Sequence, residues 1–159
     1  MYDLLFIAMY KETYKGRYKV KNLSKYRGDA HNVIYRSSWE LKLMNWCDST
    51  PAVLEWGSEV AVIPYISPVD KRMHRYFVDF YMKIKDKNGN IEKYLIEVKP
   101  KKFTQEPVKP KRVTKQFLEE VFTYGVNQAK WKAAQEFCDD RRWKFIVLTE
   151  DELKIGNYK

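Results

Sequence analysis

Apolar and polar residues alternate most cleanly in the middle of the chain. Tyr76, Val78, Phe80, Met82 and Ile84 are apolar, while Asp79, Lys83 and Lys85 fall between them. Tyr94, Ile96 and Val98 alternate with Glu97 and Lys99 in the same way. A period of two marks strands with one buried face. Residues 75–85 and 92–99 are therefore expected to be strands, the second stopped by Pro100, which lacks a ladder N–H. Helical spacing appears elsewhere. Ser37 or Ser38 caps a helix running to about Asp48, with Pro51 beyond its end. A longer helix is expected from about Lys115 to Cys138, with Phe117, Val121, Tyr124 and Gln128 along one stripe. Residues 53–66 read as one long or two short strands, with Gly57 a candidate bulge. Trp143 to Leu148 reads as a short strand. Thr149 and Glu152 have capping-box spacing for a last helical turn. The order is α/β: helix, antiparallel or mixed sheet, long helix, strand, short helix. Residues 1–20 are expected to be an extension and residues 21–159 a single domain.

The two central strands surround Asn88-Gly89. Cross-strand neighbours share a face, so matching the two apolar faces requires paired residue numbers with an even sum. A two-residue turn gives an odd sum and would mix the faces. A three-residue loop, Lys87-Asn88-Gly89, puts Gly89 at the left-handed position such loops need. That register sets Asp79 opposite Glu97, with Cβ atoms about 5 Å apart. Two carboxylates at that distance repel by about 3 kcal/mol at an effective dielectric near 20. A shared proton, Lys99 or a hard cation relieves the repulsion. Oxygen ligands with open water positions suit magnesium.

A third acid points the same way. Glu40 shares a helical stripe with Leu43, Met44 and Cys47, which aims it at the sheet. Glu40 also has capping-box spacing from Ser37, and one oxygen can cap while the other reaches a metal or its water.

Charge then narrows the partners. The 159 residues carry 30 Lys and Arg against 21 Asp and Glu, a net +9. Nucleic acid, anionic lipid and acidic protein are all compatible with that excess. The 45% hydrophobic and 16% aromatic content exclude disorder of the whole chain. Cys47 and Cys138 have neither disulfide-framework nor metal-site spacing, so reduced thiols are expected. The longest apolar run, Leu4 to Tyr10, is too short to span a bilayer, and no secretory signal is expected.

Val78-Asp79 followed by Glu97-Val98-Lys99, with an acid on a preceding helix, resembles the PD-(D/E)xK nuclease superfamily; Val78 stands where that motif usually has proline. Longer runs resemble the head completion nucleases of T-even-type tailed phages. These are Lys21-Asn22-Leu23-Ser24-Lys25-Tyr26-Arg27-Gly28-Asp29, Tyr35-Arg36-Ser37-Ser38-Trp39-Glu40, Trp56-Gly57-Ser58-Glu59 with Ile63-Pro64-Tyr65, Glu97-Val98-Lys99-Pro100-Lys101-Lys102 and Lys130-Trp131-Lys132-Ala133-Ala134-Gln135. The similarity starts at about residue 21. The core is also similar to the DNA-cutting subunit of some cut-and-paste transposases.

The resemblance implies a restriction-endonuclease-like core with endo- and exonuclease activity on packaged DNA, before heads join tails. It implies magnesium, replaceable by manganese, held by Asp79 and Glu97 with Glu40 in support and the Val98 carbonyl as an extra ligand. Lys99 would orient the attacking water or stabilise the phosphate. The partners would be double-stranded DNA and phage head or neck proteins, in the host cytoplasm, with no membrane and no small-molecule cofactor. Basic residues mark where DNA would lie: Lys101, Lys102, Lys109, Lys111 and Arg112 in the loop after the catalytic strand, and Lys130 and Lys132 on the long helix. Asn127 and Trp131 lie on the same helix, where Trp131 is expected to pack in the core. Glu59 and His74 are weaker candidates. A non-catalytic DNA-binding or head-joining protein and a junction-resolving, transposase-like endonuclease are the alternatives.

Overall fold

Glycine at position 89 fixes the centre of the fold. The structure, a computed structural model, describes residues 15–154. Gly89 has φ +82°, its N–H donates to the Asp86 carbonyl, and the Asp86 carboxylate accepts from the N–H groups of Asn88 and Asn90. The three-residue loop joins β6 (Phe80–Lys85) to β7 (Ile91–Val98) in the expected register, with Phe80 opposite Ile96 and Lys85 opposite Ile91. Further strands are β1 (Gly16–Arg17), β2 (Ile34–Tyr35), β3 (Val53–Ser58), β4 (Val62–Ile66), β5 (Met73–Phe77) and β8 (Lys144–Leu148). The central sheet runs β3-β6-β7-β8, antiparallel except for the parallel pair β7–β8. β1 with β2, and β4 with β5, form separate two-stranded pairs.

Three α-helices complete the domain. α1 (Ser38–Ser49) is capped by Ser37, whose hydroxyl accepts from the Glu40 N–H. Its buried Leu43, Met44 and Cys47 pack on one sheet face with Trp56, Phe80, Met82 and Ile96. Trimming Leu43 or Met44 to alanine in such a core costs about 2–5 kcal/mol. α2 (Lys115–Arg141) covers the other face, where Ala134 and Cys138 meet Leu95, with Trp131 and Tyr81 at the margin. α3 (Glu150–Leu153) follows β8 and opens with the expected Thr149–Glu152 capping box. Cys47 and Cys138 are buried free thiols. No described helix is long and apolar enough to cross a membrane.

Four expectations change. The stretch 75–85 is two strands, because the chain leaves the β4–β5 pair and enters the central sheet at Val78-Asp79. Tyr76 and Val78 consequently pack with Leu95 and Ala134, not with Phe80 and Met82. The expected boundary at residue 21 cuts through the core, since Tyr18 and Val20 are buried in it; the rest of the expected extension, up to residue 14, lies outside the described residues. Gly57 is no bulge. The register shift falls between Val53 and Glu55, and a Cβ on Gly57 would sit 2.6 Å from the Arg27 carbonyl oxygen. The buried face of α2 carries Asn127, Ala134 and Cys138, while Val121 and Gln128 of the expected stripe are exposed. Over residues 115–126 no residue of α2 is buried.

Candidate active site

The break between β5 and β6 builds the site. Asp79 lies at the bend just before Phe80, where the β6–β7 ladder ends. Its carbonyl accepts from the Glu59 N–H at 3.0 Å, and Glu59 holds a left-handed φ of 55°. Its Oδ2 accepts from the Val98 N–H at 2.8 Å. The sheet therefore places Asp79 beside the Glu97-Val98-Lys99 segment, as the register requires.

Glu97 is buried, unusual for a carboxylate. Its Oε2 accepts from the Tyr76 hydroxyl at 2.6 Å, and its Oε1 lies 3.4 Å from the Lys99 Nζ. Burial and the charge of Glu97 hold the Tyr76 hydroxyl protonated far above its usual range, so it stays a donor. Burial pushes the Asp79 carboxyl well above the usual range, and the negative charges of Glu97 and Glu40 push the same way. The Val98 N–H and Lys99 oppose the shift without cancelling it. Strong perturbation by burial plus a partner charge is characteristic of functional sites.

Glu40 belongs to this field. Burial raises its carboxyl, and Glu59 adds to that, while the Arg36 N–H, bound at 2.8 Å to Oε2, lowers it. The capping box expected with Ser37 is thus half formed: Ser37 caps the helix, but Glu40 reaches back to Arg36. Arg36 in turn pairs with Glu59 and ties the start of α1 to the bend that supports Asp79. Among the described residues, no group of three or more His, Cys, Asp or Glu side chains forms a metal-holding cluster. The close acids are the pair Asp79 and Glu97, with Glu40 acting on Asp79 through its charge.

The basic residues divide. Lys101 Nζ pairs with Asp151 at 2.9 Å, and its N–H donates to Glu150, so Lys101 fastens the post-strand loop to α3. Lys102 is exposed, with Nζ 4.9 Å from the centre of the Phe103 ring. Lys109, Lys111 and Arg112 are exposed and have no ion pair among the described residues. Lys130 sits over the rings of Tyr76 and Tyr65, at 5.5 and 5.8 Å, directly behind Glu97's partner. Lys132 is exposed, 4.0 Å from Glu136 on the same helix. Trp131 packs at the edge of the second core cluster. Glu59 acts by its backbone and its pair with Arg36. His74 pairs with Asp70 at 2.8 Å on the β4–β5 hairpin.

Sequence reasoning missed Tyr76 and Arg36. In the sequence Tyr76 is one more apolar strand position. Its place three residues before Asp79, on the far side of a strand break, was the only signal, and the alternation masked it.

Comparison with known proteins places the whole segment that carries these acids in one family. Residues 50–150 match the family model of the TnsA-like endonuclease N-terminal domain, a span that contains Asp79, Glu97 and Lys99. The chain is 46% identical over 150 residues to the head completion nuclease of Enterobacteria phage T4, covering 92% of this chain and 97% of that one. An acid pair set across the end of a ladder, with a lysine two residues on, thus sits inside a nuclease sequence over nearly its whole length, and the chain belongs to the TnsA-like endonucleases and to the family of the phage T4 head completion nuclease.

Proposed function

We propose that the protein is a divalent-cation-dependent deoxyribonuclease. It hydrolyses phosphodiester bonds of double-stranded DNA, by internal cuts and from ends, on packaged DNA during phage head completion, before heads join tails. The observation that carries this reading is the Asp79–Glu97 pair with the Lys99 Nζ 3.4 Å from Glu97. The name of the relative supplies the setting of head completion; host cytoplasm and contact with head or neck proteins follow from that setting.

The donor set fits magnesium or manganese. Magnesium keeps several waters and takes one or two carboxylates plus substrate phosphate oxygens, so two acids suffice. Asp79 has Oδ1 free of hydrogen bonds among the described residues, and Glu97 offers Oε1. These two residues would hold the ion, with Glu40 on a water ligand. The ion would lower the pKa of a bound water and offset phosphate charge.

The chain's own groups do the positioning. The Tyr76 hydroxyl fixes Glu97 by Oε2 and leaves Oε1 on the side of Lys99. The Val98 N–H fixes Asp79 likewise. Lys99 projects from the same strand face as Glu97 and supplies a positive charge where the phosphate gains negative charge. Lys109, Lys111 and Arg112, with Lys102, bind backbone phosphates without reading sequence.

The test is cleavage of linear, nicked and branched duplex DNA with magnesium and with EDTA, by wild type and Glu97→Gln. Cleavage by wild type with magnesium alone, and by neither protein otherwise, is expected. Wild type inactive on every substrate, or Glu97→Gln as active as wild type, contradicts the reading; salt-sensitive binding without cleavage would instead indicate a head-joining role. The match to a TnsA-like endonuclease favours a second reading, a junction-resolving or transposase-like enzyme. It predicts branched DNA cut far faster than linear DNA in the same panel.

A further inference from the structure

A groove of about 470 Å³ runs between the segment after β7 and the first half of α2. That volume is within the range of small-ligand sites. Its walls continue the segments that carry the site: Lys102 on one wall is three residues from Lys99, and Asn127 on the other is one helical turn from Lys130, which sits over Tyr76. One turn is roughly 5 Å along the axis.

The walls have a definite chemistry. Phe103 and Tyr124 are half-buried aromatic rings. Asn127, only 6% exposed, lines the groove and makes no side-chain hydrogen bond among the described residues. The sealed, unpartnered side-chain N–H groups among the described residues are those of Trp56 and Trp131, so the Asn127 amide is reached by solvent from the groove and is free to pair with a ligand there. Gln105 and Gln116 add amides, Gln116 already donating to Glu120 at 3.3 Å. Glu119 and Glu120 outnumber Lys102, so the groove is poorly suited to a phosphate. Aromatic faces, free amides and carboxylates suit a nucleobase instead. Rings stack on its face, amides pair with its edge, and carboxylates accept from its exocyclic amino group.

We propose that this groove seats an unpaired nucleobase next to the phosphate being cut. The inference rests on the nuclease reading above and sharpens its substrate class: DNA with unpaired nucleotides beside the cleavage point, such as an overhang or flap, over blunt duplex. A base inside a duplex cannot enter without unstacking, which costs a few kcal/mol and is avoided when the base is already unpaired.

The experiment uses the full-length protein in EDTA with oligonucleotide duplexes that are blunt or carry a short overhang containing 2-aminopurine. Stacking on Phe103 and Tyr124 should quench the overhang fluorescence. Wild type should bind the overhang DNA at least about fivefold more tightly than blunt DNA, the low end of what one base–aromatic stack supplies. Tyr124→Ala and Asn127→Ala should bring that ratio toward one, while Tyr124→Phe, which keeps the ring, should retain it; melting temperatures check that each variant is folded. Equal binding of blunt and overhang DNA by wild type overturns the proposal, as does quenching that survives in folded Tyr124→Ala. Cleavage with magnesium is measured in parallel. Cutting without quenching removes the groove proposal and leaves the nuclease, whereas quenching without cutting of any substrate does the reverse.

Discussion

Two aspartates of this protein meet burial in opposite ways. Asp48, at the end of α1, has no exposed surface. Its Oδ2 accepts from the Tyr18 hydroxyl at 2.9 Å and the Lys21 N–H at 2.7 Å, and its Oδ1 from the Asn22 N–H at 3.0 Å. Burial pushes this carboxyl up, but those donors outweigh it and hold it below the usual range. Asp79 has one N–H donor, faces Glu97 and Glu40, and is pushed well above the usual range. Donors surround the acid that joins the amino-terminal segment to the domain. They are withheld from the acid in the nuclease motif, the residue proposed above to hold a cation.

The largest effect that separates the two is on Asp79. Asp79→Asn should lower DNA cleavage by about 10³-fold, the scale of removing a preorganised electrostatic group. It should also melt at the same or a higher temperature, because a repelling charge is gone. A clear fall in melting temperature would mean that Asp79 holds the fold as Asp48 does. Asp48→Ala should do the opposite. It strands the buried Tyr18 hydroxyl and the partly buried N–H groups of Lys21 and Asn22, and should cost about 3 kcal/mol. That corresponds to a melting temperature lower by roughly 6–12 °C for a domain of this size. Its specific activity, assayed well below melting, should stay near wild type; a loss as large as that of Asp79→Asn would erase the contrast.

Tyr76→Phe gives a smaller effect and tests whether Glu97 needs its donor. Cleavage should fall about tenfold, with stability reduced by about 1 kcal/mol, the net worth of a hydrogen bond. No change in rate would make Tyr76 a packing residue only.

The smallest effect extends the well-satisfied class to Glu55. The Arg27 guanidinium, the Tyr81 hydroxyl and Lys83 hold its carboxyl at about 2, against a usual 4.5, despite burial. A carboxyl lowered in the folded state stabilises above the unfolded value and loses that stabilisation as pH falls toward the folded value. Wild type should thus lose melting temperature between about pH 4.5 and 2, and Glu55→Gln should lose less over the same interval. Parallel melting curves for the two proteins across that interval would contradict the assignment.

Much of the site was legible because it depends on register. Gly89 and the parity of the two apolar faces are local facts, and together they set Asp79 against Glu97. The break at Val78-Asp79 was not legible, because apolar alternation runs through it while the partner strand changes. The α2 stripe differs because 3.6-residue spacing shows an apolar face but not what packs against it. The pairing of Lys101 is not visible in the sequence because its partner Asp151 lies fifty residues away. Asn127 is placed by its spacing on a helix face, but its position in the groove wall follows only from how loop 102–107 and α2 pack. The fold class survived these changes, since each moves an edge or a boundary and none changes the order of elements.

The central claim is that the Asp79–Glu97 pair is a cation site. A crystal soaked with manganese tests it most directly through the metal's anomalous signal. The account predicts one peak or two between the Asp79 and Glu97 carboxylates, absent in Asp79→Asn crystals soaked alongside. Manganese bound elsewhere, with that space empty in a protein that cuts DNA with manganese, would contradict it.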